Sequence, residues 1–375
     1  MSESPSETIF LAGGGTGGHL YPGIAVAEAL RTVAPQLKPL FLCTQRPIDK
    51  TILEPTGFEF IQQPIVPLTR SVGGLLRFSR SYWETRDVVR KVFRERKPAA
   101  VLGLGGYAAG VAVSRASPRK IPAAILNPDV IPGRANRLLM PHVKAICCQF
   151  EATKEHVSGQ HQSKLAFTGC PIRSDMRQLP TREAAASRLG LDPRLNTLVI
   201  TGASQGAQTV NDAILESIGA LKLQGWQILH LAGKDHAGSV RAGYRERSIA
   251  AAVIDFTPAM ADVWAVADLC VSRAGASTCA ELTACGVPSI LMPYPFHRDM
   301  HQRANARVLS DAGAALLLDD EKDAKKNAAT LKPALESLLY DVPKRKSMSD
   351  AARSLGKGDA ARAVAEVITS LIASR

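Results

Sequence analysis

Five glycines in six residues stand near the start of the chain, in the segment 13–18, and His19 follows them directly. The segment lies between an apolar run typical of a β-strand, residues 8–12, and residues 22–31, which have helical character. Glycines permit tight turns and let backbone N–H groups approach an anion at a helix N-terminus. A neutral imidazole titrates near the working pH of an enzyme, so His19 is a candidate base. A plain turn with a histidine that caps the helix is the alternative.

Two familiar glycine-loop chemistries do not fit this segment. A nucleotide-binding P-loop requires GxxxxGK[ST], which the sequence lacks. A dinucleotide-binding fold requires an acidic residue at the end of the second strand, where residues 42–45 read LCTQ. Dehydrogenase chemistry is therefore a minor alternative.

Three further loops of small residues follow apolar runs, at residues 103–107, 201–207 and 272–278. In parallel α/β sheets, ligands bind at the carboxyl ends of the strands, where such loops lie. Residues 272–278 offer backbone N–H groups and hydroxyls to a diphosphate, and Glu281 could accept hydrogen bonds from a ribose diol. A capped helix with a solvated Glu281 is the alternative.

Strand and helix patterns alternate up to about residue 175 and then restart, which predicts two α/β domains with doubly wound parallel sheets. We expect a first domain at residues 1–172, a linker region at 173–188 and a second domain at 173–349. A basic amphipathic helix is predicted at residues 82–96. The last segment, 350–375, contains an amphipathic helix at 359–374 that could pack on either domain and could complete the first.

The formal net charge of +12 indicates an anionic partner, which could be nucleic acid, anionic lipid or a phosphorylated substrate. No nucleic-acid-reading signature occurs, so we expect no nucleic acid partner. The seven cysteines form no CxxC pair and read as reduced, buried thiols of a cytosolic protein. The polar, acidic first residues predict no secretory signal, and no apolar run approaches the ~20 residues that span a bilayer.

Several segments in the same order resemble the MurG family, the lipid-intermediate N-acetylglucosaminyltransferases of peptidoglycan synthesis. The resemblance covers residues 8 to about 305, in the segments GGGTGGHLYPGIAVAEAL, GGYAAG, IPGRANRLL, GCPIR, GASQGAQTVN, RAGASTCAEL and PYPFHRDMHQRANA. It implies a GT-B fold, with two Rossmann-like domains and the active site in the cleft between them. It also implies transfer of GlcNAc from UDP-GlcNAc to the 4-hydroxyl of the muramyl sugar in lipid I, which gives lipid II with inversion. The protein would act peripherally at the cytoplasmic face of the inner membrane, without a cofactor.

The resemblance also implies roles for individual residues. His19 is the candidate base. Arg173 and Ser204 would hold the UDP phosphates, the backbone at Thr257 would read uracil, and His301 with Gln302 would contact the GlcNAc hydroxyls; a plain polar helix face is the alternative for the last two. The full donor set is Thr16, Gly17, Gly18, Arg173, Ser204, Thr257, Ala276, Ser277, Thr278, Glu281, His301 and Gln302. The acceptor set is Gly14, Gly15, Gly105, Gly106, Tyr107, Asp129 and Asn136.

No catalytic metal is expected. The sequence has no carboxylate pair of the DxD type in a convincing context. His297 and His301 are four residues apart, but the glutamate of an HExxH motif is absent.

Residues 68–90 place apolar side chains beside arginines, a composition that suits an interfacial patch on anionic lipid. An ordinary amphipathic helix with its apolar face in the core is the alternative. The patch would comprise Leu75, Leu76, Phe78, Tyr82 and Trp83 with Arg70, Arg77, Arg80 and Arg86.

The sequence departs from the family at residues 126–129, which read LNPD where the family has an HEQN-like tetrad. The second glycine loop reads GGYAAGV where the family commonly has GGYVSGP. Both differences fall in the acceptor-side domain. Two alternatives therefore stay open: a GT-B transferase with another lipid or small-molecule acceptor, and a non-catalytic protein that binds UDP-sugar or lipid.

Overall fold

The computed structural model describes residues 7–69, 71–202, 206–296 and 299–374. The chain divides into two compact units. The first unit comprises Met1–Arg173 together with Gly358–Arg375, and the second comprises Ser174–Lys357. Each unit is built on its own parallel sheet, which confirms the predicted α/β class.

The first unit contains a parallel sheet in the order β3-β2-β1-β4-β5-β6-β7 among its described residues. Successive strands are added towards one edge from β1 to β3 and towards the other edge from β4 onwards. The loops at the carboxyl ends of β1 and β4 therefore flank the crevice where such sheets bind ligands. The predicted glycine loops follow these two strands. The strands are β1 Glu7–Gly13, β2 Leu37–Thr44, β3 Glu59–Gln63, β4 Ala100–Gly105, β5 Ala123–Asn127, β6 Ala145–Cys148 and β7 Leu165–Ala166.

Helices cover both faces of this sheet, and the C-terminal helix belongs to them. Val364, Ala365 and Ile368 of that helix are buried in the same core as Leu20 and Ile24 of the first helix. The helices of the first unit are α1 Gly17–Val33, α2 Pro47–Leu53, α3 Val72–Arg96, α4 Gly106–Ala116, α5 Arg134–Leu139, α6 Gly159–Gln162 and, at the end of the chain, α15 Ala360–Ala373.

The second unit has a parallel sheet in the order β10-β9-β8-β11-β12-β13. Its strand order switches from one edge of the sheet to the other between β8 and β11. Its strands are β8 Asn196–Thr201, β9 Trp226–Leu231, β10 Ala252–Ile254, β11 Ala267–Ser272, β12 Ser289–Leu291 and β13 Ala315–Leu317. Its helices are α7 Arg182–Leu189, α8 Gln208–Ile218, α9 Ala237–Glu246, α10 Met260–Val266, α11 Ala276–Cys285, α12 His301–Asp311, α13 Ala324–Leu339 and α14 Val342–Leu355.

Three local predictions need correction. The expected linker 173–188 contains most of α7, because the Thr181 side chain caps this helix and Arg188 forms an ion pair with Asp262 of α10. Residues 350–357 lie in the second unit, where the Ser349 hydroxyl donates to the Gly286 carbonyl. Helix α3 begins ten residues before the predicted helix at 82–96, because the Ser71 hydroxyl accepts a hydrogen bond from the Gly74 N–H.

Candidate functional site

The first glycine loop connects β1 to α1 and is held from below by Asp49 of α2. The Asp49 side chain is fully buried. Its carboxylate accepts the Gly15 N–H at 2.7 and 2.9 Å and the Thr44 N–H at 2.8 Å, and the Thr44 hydroxyl donates to it at 2.7 Å. A Cβ at Gly14 would lie 2.2 Å from an Asp49 oxygen, so only glycine fits there. A dinucleotide-binding fold would place an acid at the end of β2; here the acid lies five residues beyond Thr44, in α2.

His19 lies in the first turn of α1. Its Nδ1 is 3.2 Å from the Gly14 carbonyl oxygen and 3.2 Å from the Thr16 hydroxyl. Because a carbonyl oxygen can only accept, Nδ1 must carry the proton, and Nε2 then presents the lone pair. Burial lowers the pKa of His19, and the Gly14 hydrogen bond and the charges of Asp129 and Asp49 offset it only in part. The imidazole is therefore neutral at pH 7 and fit to accept a proton at Nε2.

The second glycine loop makes room for the His19 ring. Gly105 and Gly106 have φ values of 108° and 70°, in the region that favours glycine. Cβ atoms at these two positions would lie 3.0 and 2.9 Å from His19 ring atoms. The adjacent Tyr107 hydroxyl approaches Gly15, and burial raises the pKa of Tyr107. The loop was expected to contact the acceptor, and the structure adds that it packs against the candidate base.

The segment that departs from the family pattern, residues 126–129, is fixed by Asn136. This buried side chain donates to the Leu126 carbonyl at 2.8 Å and to Asn127 Oδ1 at 3.1 Å. Asn127 in turn donates to the Asp129 carbonyl at 2.9 Å. Asn136 thus holds the loop, while the Asp129 carboxylate raises the pKa of His19.

The first N–H groups of α1 have no carbonyl acceptor within the helix. Thr16 is the N-cap residue without a side-chain cap, and the first turn contains no acidic residue. Thr16 and Gly18 are exposed and Gly17 is half-buried. Arg173, at the end of this stretch of the first unit, stacks its guanidinium 5.1 Å from the centre of the Tyr21 ring.

In the second unit, the loop between β8 and α8 contains Ser204, which lies outside the described residues. Two glycines flank Ser204, and close contacts leave no room for a side chain at either position. A Cβ at Gly202 would lie 2.1 Å from the Ala207 nitrogen, and one at Gly206 would lie 2.1 Å from the Ala232 oxygen.

Helix α11 starts at the expected donor loop. Gly275 is its N-cap, and Ala276, Ser277 and Thr278 form a first turn without an acidic residue. Such an N-terminus favours anions, because its first N–H groups have no helical acceptor and the helix dipole is positive there. Asn305 of α12 donates to the Ala274 carbonyl at 3.1 Å and ties the two helices at their N-termini.

Glu281 lies one turn further along α11 and is oriented by Trp264. The indole Nε1–H of Trp264 donates to Glu281 Oε2 at 2.9 Å. Trp264 is buried in α10 and was not singled out from the sequence, where it reads as an ordinary apolar helix residue. The indole N–H thereby fixes the orientation of the Glu281 carboxylate.

A buried ionic network holds the second-unit loops together. Arg273 donates to the carbonyls of Met292 and Pro293 and forms an ion pair with Asp320 at 2.7 Å. Thr209 of α8 accepts from Arg273 at 2.6 Å and donates to Asp320 at 2.5 Å. Burial acts to raise the pKa of Asp320, but its hydrogen bonds outweigh this and the pKa lies below its usual value. The network joins the ends of β11, β12 and β13 to α8.

The remaining donor residues of the second unit lie at the start of α12 and in the loop before α10. His301 Nδ1 is 2.7 Å from Asp299 Oδ1 at the start of α12. Gln302 Oε1 accepts the Tyr294 N–H at 2.9 Å and so holds the preceding loop. Thr257 lies between β10 and α10, and its hydroxyl accepts the Ala259 N–H.

No group of three or more histidine, cysteine or acidic side chains that could hold a metal occurs within the described ranges. His297 lies outside them. The seven cysteines are all buried and none forms a disulfide.

Comparison with known proteins yields two family models and full-length relatives. Residues 9–148 match the glycosyltransferase family 28 N-terminal domain, and residues 197–365 match the family 28 C-terminal domain. The UDP-N-acetylglucosamine–N-acetylmuramyl-(pentapeptide) pyrophosphoryl-undecaprenol N-acetylglucosamine transferase of Halothermothrix orenii is 33% identical over 93% of this chain and 95% of its own length. The protein of the same name from Thermodesulfovibrio yellowstonii is 35% identical over 97% of this chain and 98% of its own. The crystal structure of Acinetobacter baumannii MurG has the same fold, with a TM-score of 0.75 and 23% identity over 97% of this chain and 99% of that one.

Proposed function

Because the chain belongs to the family of UDP-N-acetylglucosamine–N-acetylmuramyl-(pentapeptide) pyrophosphoryl-undecaprenol N-acetylglucosamine transferases, we propose that it transfers GlcNAc from UDP-GlcNAc to the C4 hydroxyl of MurNAc in lipid I. The product is lipid II, the precursor of peptidoglycan. The observation that carries this proposal is the 33–35% identity to such transferases over more than nine-tenths of the chain.

The reaction is a single displacement with inversion. The C4 hydroxyl oxygen attacks the anomeric carbon of GlcNAc, the bond from that carbon to the UDP oxygen breaks, and UDP leaves with the electron pair. The hydroxyl proton passes to a base, and His19 Nε2 fits this role because the imidazole is neutral and its Nδ1 is already occupied. Stabilisation of the departing diphosphate and alignment of the two sugars lower the activation barrier further.

Most of the donor groups come from the second unit. The N–H groups of Ala276, Ser277 and Thr278 at the α11 N-terminus bind the UDP phosphates, with Arg173 and Ser204 as further phosphate ligands. Glu281 accepts hydrogen bonds from the ribose diol, as its orientation by Trp264 supports.

The other donor and acceptor residues complete the assignment. The Thr257 backbone reads uracil, and His301 and Gln302 contact the GlcNAc hydroxyls. Thr16, Gly17 and Gly18 contribute from the start of α1. On the acceptor side, Gly14, Gly15, Gly105, Gly106, Tyr107 and Asp129 surround His19 and border the acceptor hydroxyl, and Asn136 acts by holding residues 126–129.

Contact with the lipid substrate is peripheral, at the cytoplasmic face of the inner membrane, and uses helix α3. Its N-terminal half exposes Leu75, Leu76 and Trp83, whose exposed fractions are 54, 67 and 57%, whereas its C-terminal half buries Val89 and Phe93 in the core. Arg86 stacks on the Trp83 ring at 4.6 Å, and further arginines lie along the helix. Apolar side chains ringed by arginines suit an anionic membrane surface. No helix in the described ranges has the length and apolarity needed to cross a bilayer.

The membrane contact is tested by sedimentation with vesicles that contain phosphatidylglycerol. The double variant Leu76→Ser, Trp83→Ser should lower the bound fraction at least about tenfold, since each side chain would bury most of its apolar surface in the interface. Val342→Ser, which removes an exposed apolar side chain from the second unit, is the control and should bind as the wild type does. Equal binding by all three proteins would place the contact elsewhere.

The reaction is tested by transfer of radiolabelled GlcNAc from UDP-GlcNAc to a short-chain lipid I analogue with purified protein. Labelled lipid II analogue is the expected product, and His19→Gln should slow its formation on the order of a thousandfold. Binding of UDP-GlcNAc without transfer to this acceptor would contradict the proposal. It would favour the alternative of another acceptor, in line with the unusual LNPD segment at residues 126–129.

A further inference from the structure

The geometry beneath the first glycine loop points to Asp49 as the residue that positions and polarises His19, through the peptide bond between Gly14 and Gly15. This inference rests on the proposed function, because it concerns the base of the transfer reaction. Asp49 touches neither sugar and is a positioning residue, distinct from His19 itself.

The two hydrogen bonds that carry the inference meet at opposite ends of one peptide group. The Gly15 N–H donates to the Asp49 carboxylate at 2.7 Å, and the Gly14 oxygen of the same peptide accepts from His19 Nδ1 at 3.2 Å. A peptide group is planar, so the direction of its N–H fixes the direction of its C=O. Asp49 thereby sets the direction of the carbonyl that selects the His19 tautomer.

The anchor is rigid because every part of it is fixed from several sides. Asp49 is fully buried and also accepts two hydrogen bonds from Thr44. Gly14 leaves no space for a side chain between the loop and the carboxylate. The Gly15 carbonyl is held by the Arg46 guanidinium at 2.7 Å, so the next peptide is fixed as well. The loop has little freedom to turn the Gly14 carbonyl away from the imidazole.

The carboxylate also acts electrostatically. A negative charge on the N–H side of a peptide polarises it and makes its carbonyl oxygen a better acceptor, since hydrogen bonds in a chain strengthen one another. When His19 takes the acceptor proton, the resulting imidazolium is stabilised by this oxygen and by the Asp49 charge. Carboxylate, peptide and imidazole thus form a bridged version of the acid–histidine pair of hydrolases, in which a carboxylate holds the imidazole directly.

Two further charged residues and a tyrosine lie near the His19 ring or the first glycine loop. Asp129, in the loop after β5, also raises the pKa of His19, while burial lowers it overall. Arg46 and Tyr107 approach the loop from the other side of Gly15. Removal of the Asp49 charge leaves burial less opposed, so the pKa of His19 should fall further.

The first test needs no variant of Asp49. Nitrogen NMR of wild-type protein labelled at its eight histidines, with the His19 signal assigned by its loss in His19→Gln, reports which nitrogen bears the proton. We expect the Nδ1–H form of a neutral ring at pH 7. The Nε2–H form would overturn the inference. This readout does not depend on activity, so it stands apart from any failure of the transfer reaction.

The second test compares pH–rate profiles of GlcNAc transfer. Asp49→Asn should lower kcat on the order of tenfold, at the low end of effects on general-base catalysis. It should also move the acidic limb to lower pH by about half a unit, less than a charge in direct contact would cause. The control is Glu54→Gln. Glu54 lies just after α2, and its exposed carboxylate pairs with Lys50. Its loss should leave the pH–rate profile unchanged.

Thr44→Ala separates the charge effect from loop support. It removes one hydrogen bond to Asp49 but retains the carboxylate and its bond to Gly15. The midpoint of the acidic limb should therefore stay at its wild-type pH even if stability falls. An unmoved limb in Asp49→Asn, or an equal shift in Thr44→Ala, would overturn the inference. If Asp49→Asn does not fold, the His19 tautomer measured in the wild-type protein is the deciding result for the inference. Absence of transfer by the wild type would instead refute the proposed function.

Discussion

The glycine loop of the first unit and the α11 loop of the second unit occupy similar places in their sheets. Each follows a strand at the point where the order of successive strands switches from one edge of the sheet to the other. They are anchored in opposite ways. In the first unit an acid, Asp49, takes up a backbone N–H and leaves a carbonyl to orient His19. In the second unit a cation, Arg273, three residues before α11, takes up the carbonyls of Met292 and Pro293.

The charge of each anchor thus determines which backbone groups it binds. A carboxylate anchor uses donors and supports a site that accepts a proton. A guanidinium anchor uses acceptors and supports a site that receives an anion. Under the proposed function, these two loops suit different halves of one transfer reaction.

The largest effect is expected when the second-unit anchor is broken. Asp320→Ala leaves Arg273 buried without its counter-ion and should lower the free energy of unfolding by about 3–5 kcal/mol. Asp319→Ala removes the neighbouring carboxylate, whose pair with Arg303 is exposed, and should cost about 0.5 kcal/mol. Urea unfolding measures both, and equal costs would contradict the anchor role of Arg273.

A second buried histidine sharpens the contrast with His19. His230 uses both nitrogens, towards the Tyr244 hydroxyl and Asn211 Oδ1, each at 3.0 Å, and burial lowers its pKa to about 3. In the unfolded chain it titrates near 6.5, so its contribution to stability is complete above pH 6.5 and is lost as pH falls towards 3. Between pH 6.5 and 5 this loss should reach about 2 kcal/mol.

His230→Gln should remove that pH dependence of the urea midpoint without moving the acidic limb of the transfer rate. His156→Gln, at an exposed histidine, is the control. A shifted acidic limb in His230→Gln would mean that the rate profile does not isolate His19.

The smallest effect is expected at the support of the donor ribose. Trp264→Phe keeps the ring but removes the donor to Glu281, and should raise the KM for UDP-GlcNAc roughly fivefold, about 1 kcal/mol, with kcat unchanged. Trp226→Phe, at another buried tryptophan of the same unit, should leave KM as it is. A donor analogue with deoxyribose should not distinguish Trp264→Phe from wild type. Loss of kcat with an unchanged KM would refute the ribose assignment.

The alternation of strands and helices and the positions of the glycine loops could be predicted from the sequence, because each is written in consecutive residues. The residues that hold these loops were missed, because their roles depend on contacts across the fold. Asp49 follows Gly15 by 34 residues, and Asp320 follows Arg273 by 47. The start of α3 was also missed, since Gly73 and Gly74 disfavour a helix and only the Ser71 cap reveals it. An acid shortly after the second strand was the one signal that could have identified Asp49.

The division of labour between the two loops is tested most directly by measuring the Kd for UDP-GlcNAc and kcat in both His19→Gln and Glu281→Gln. His19→Gln should lower kcat on the order of a thousandfold and leave Kd within about twofold of wild type, as expected when a general base is lost. Glu281→Gln should weaken donor binding on the order of tenfold, the loss of a hydrogen bond to a charged group. If His19→Gln weakens donor binding as much as Glu281→Gln does, or leaves kcat intact, the assignment of the base to the first loop and of the donor to the second is wrong.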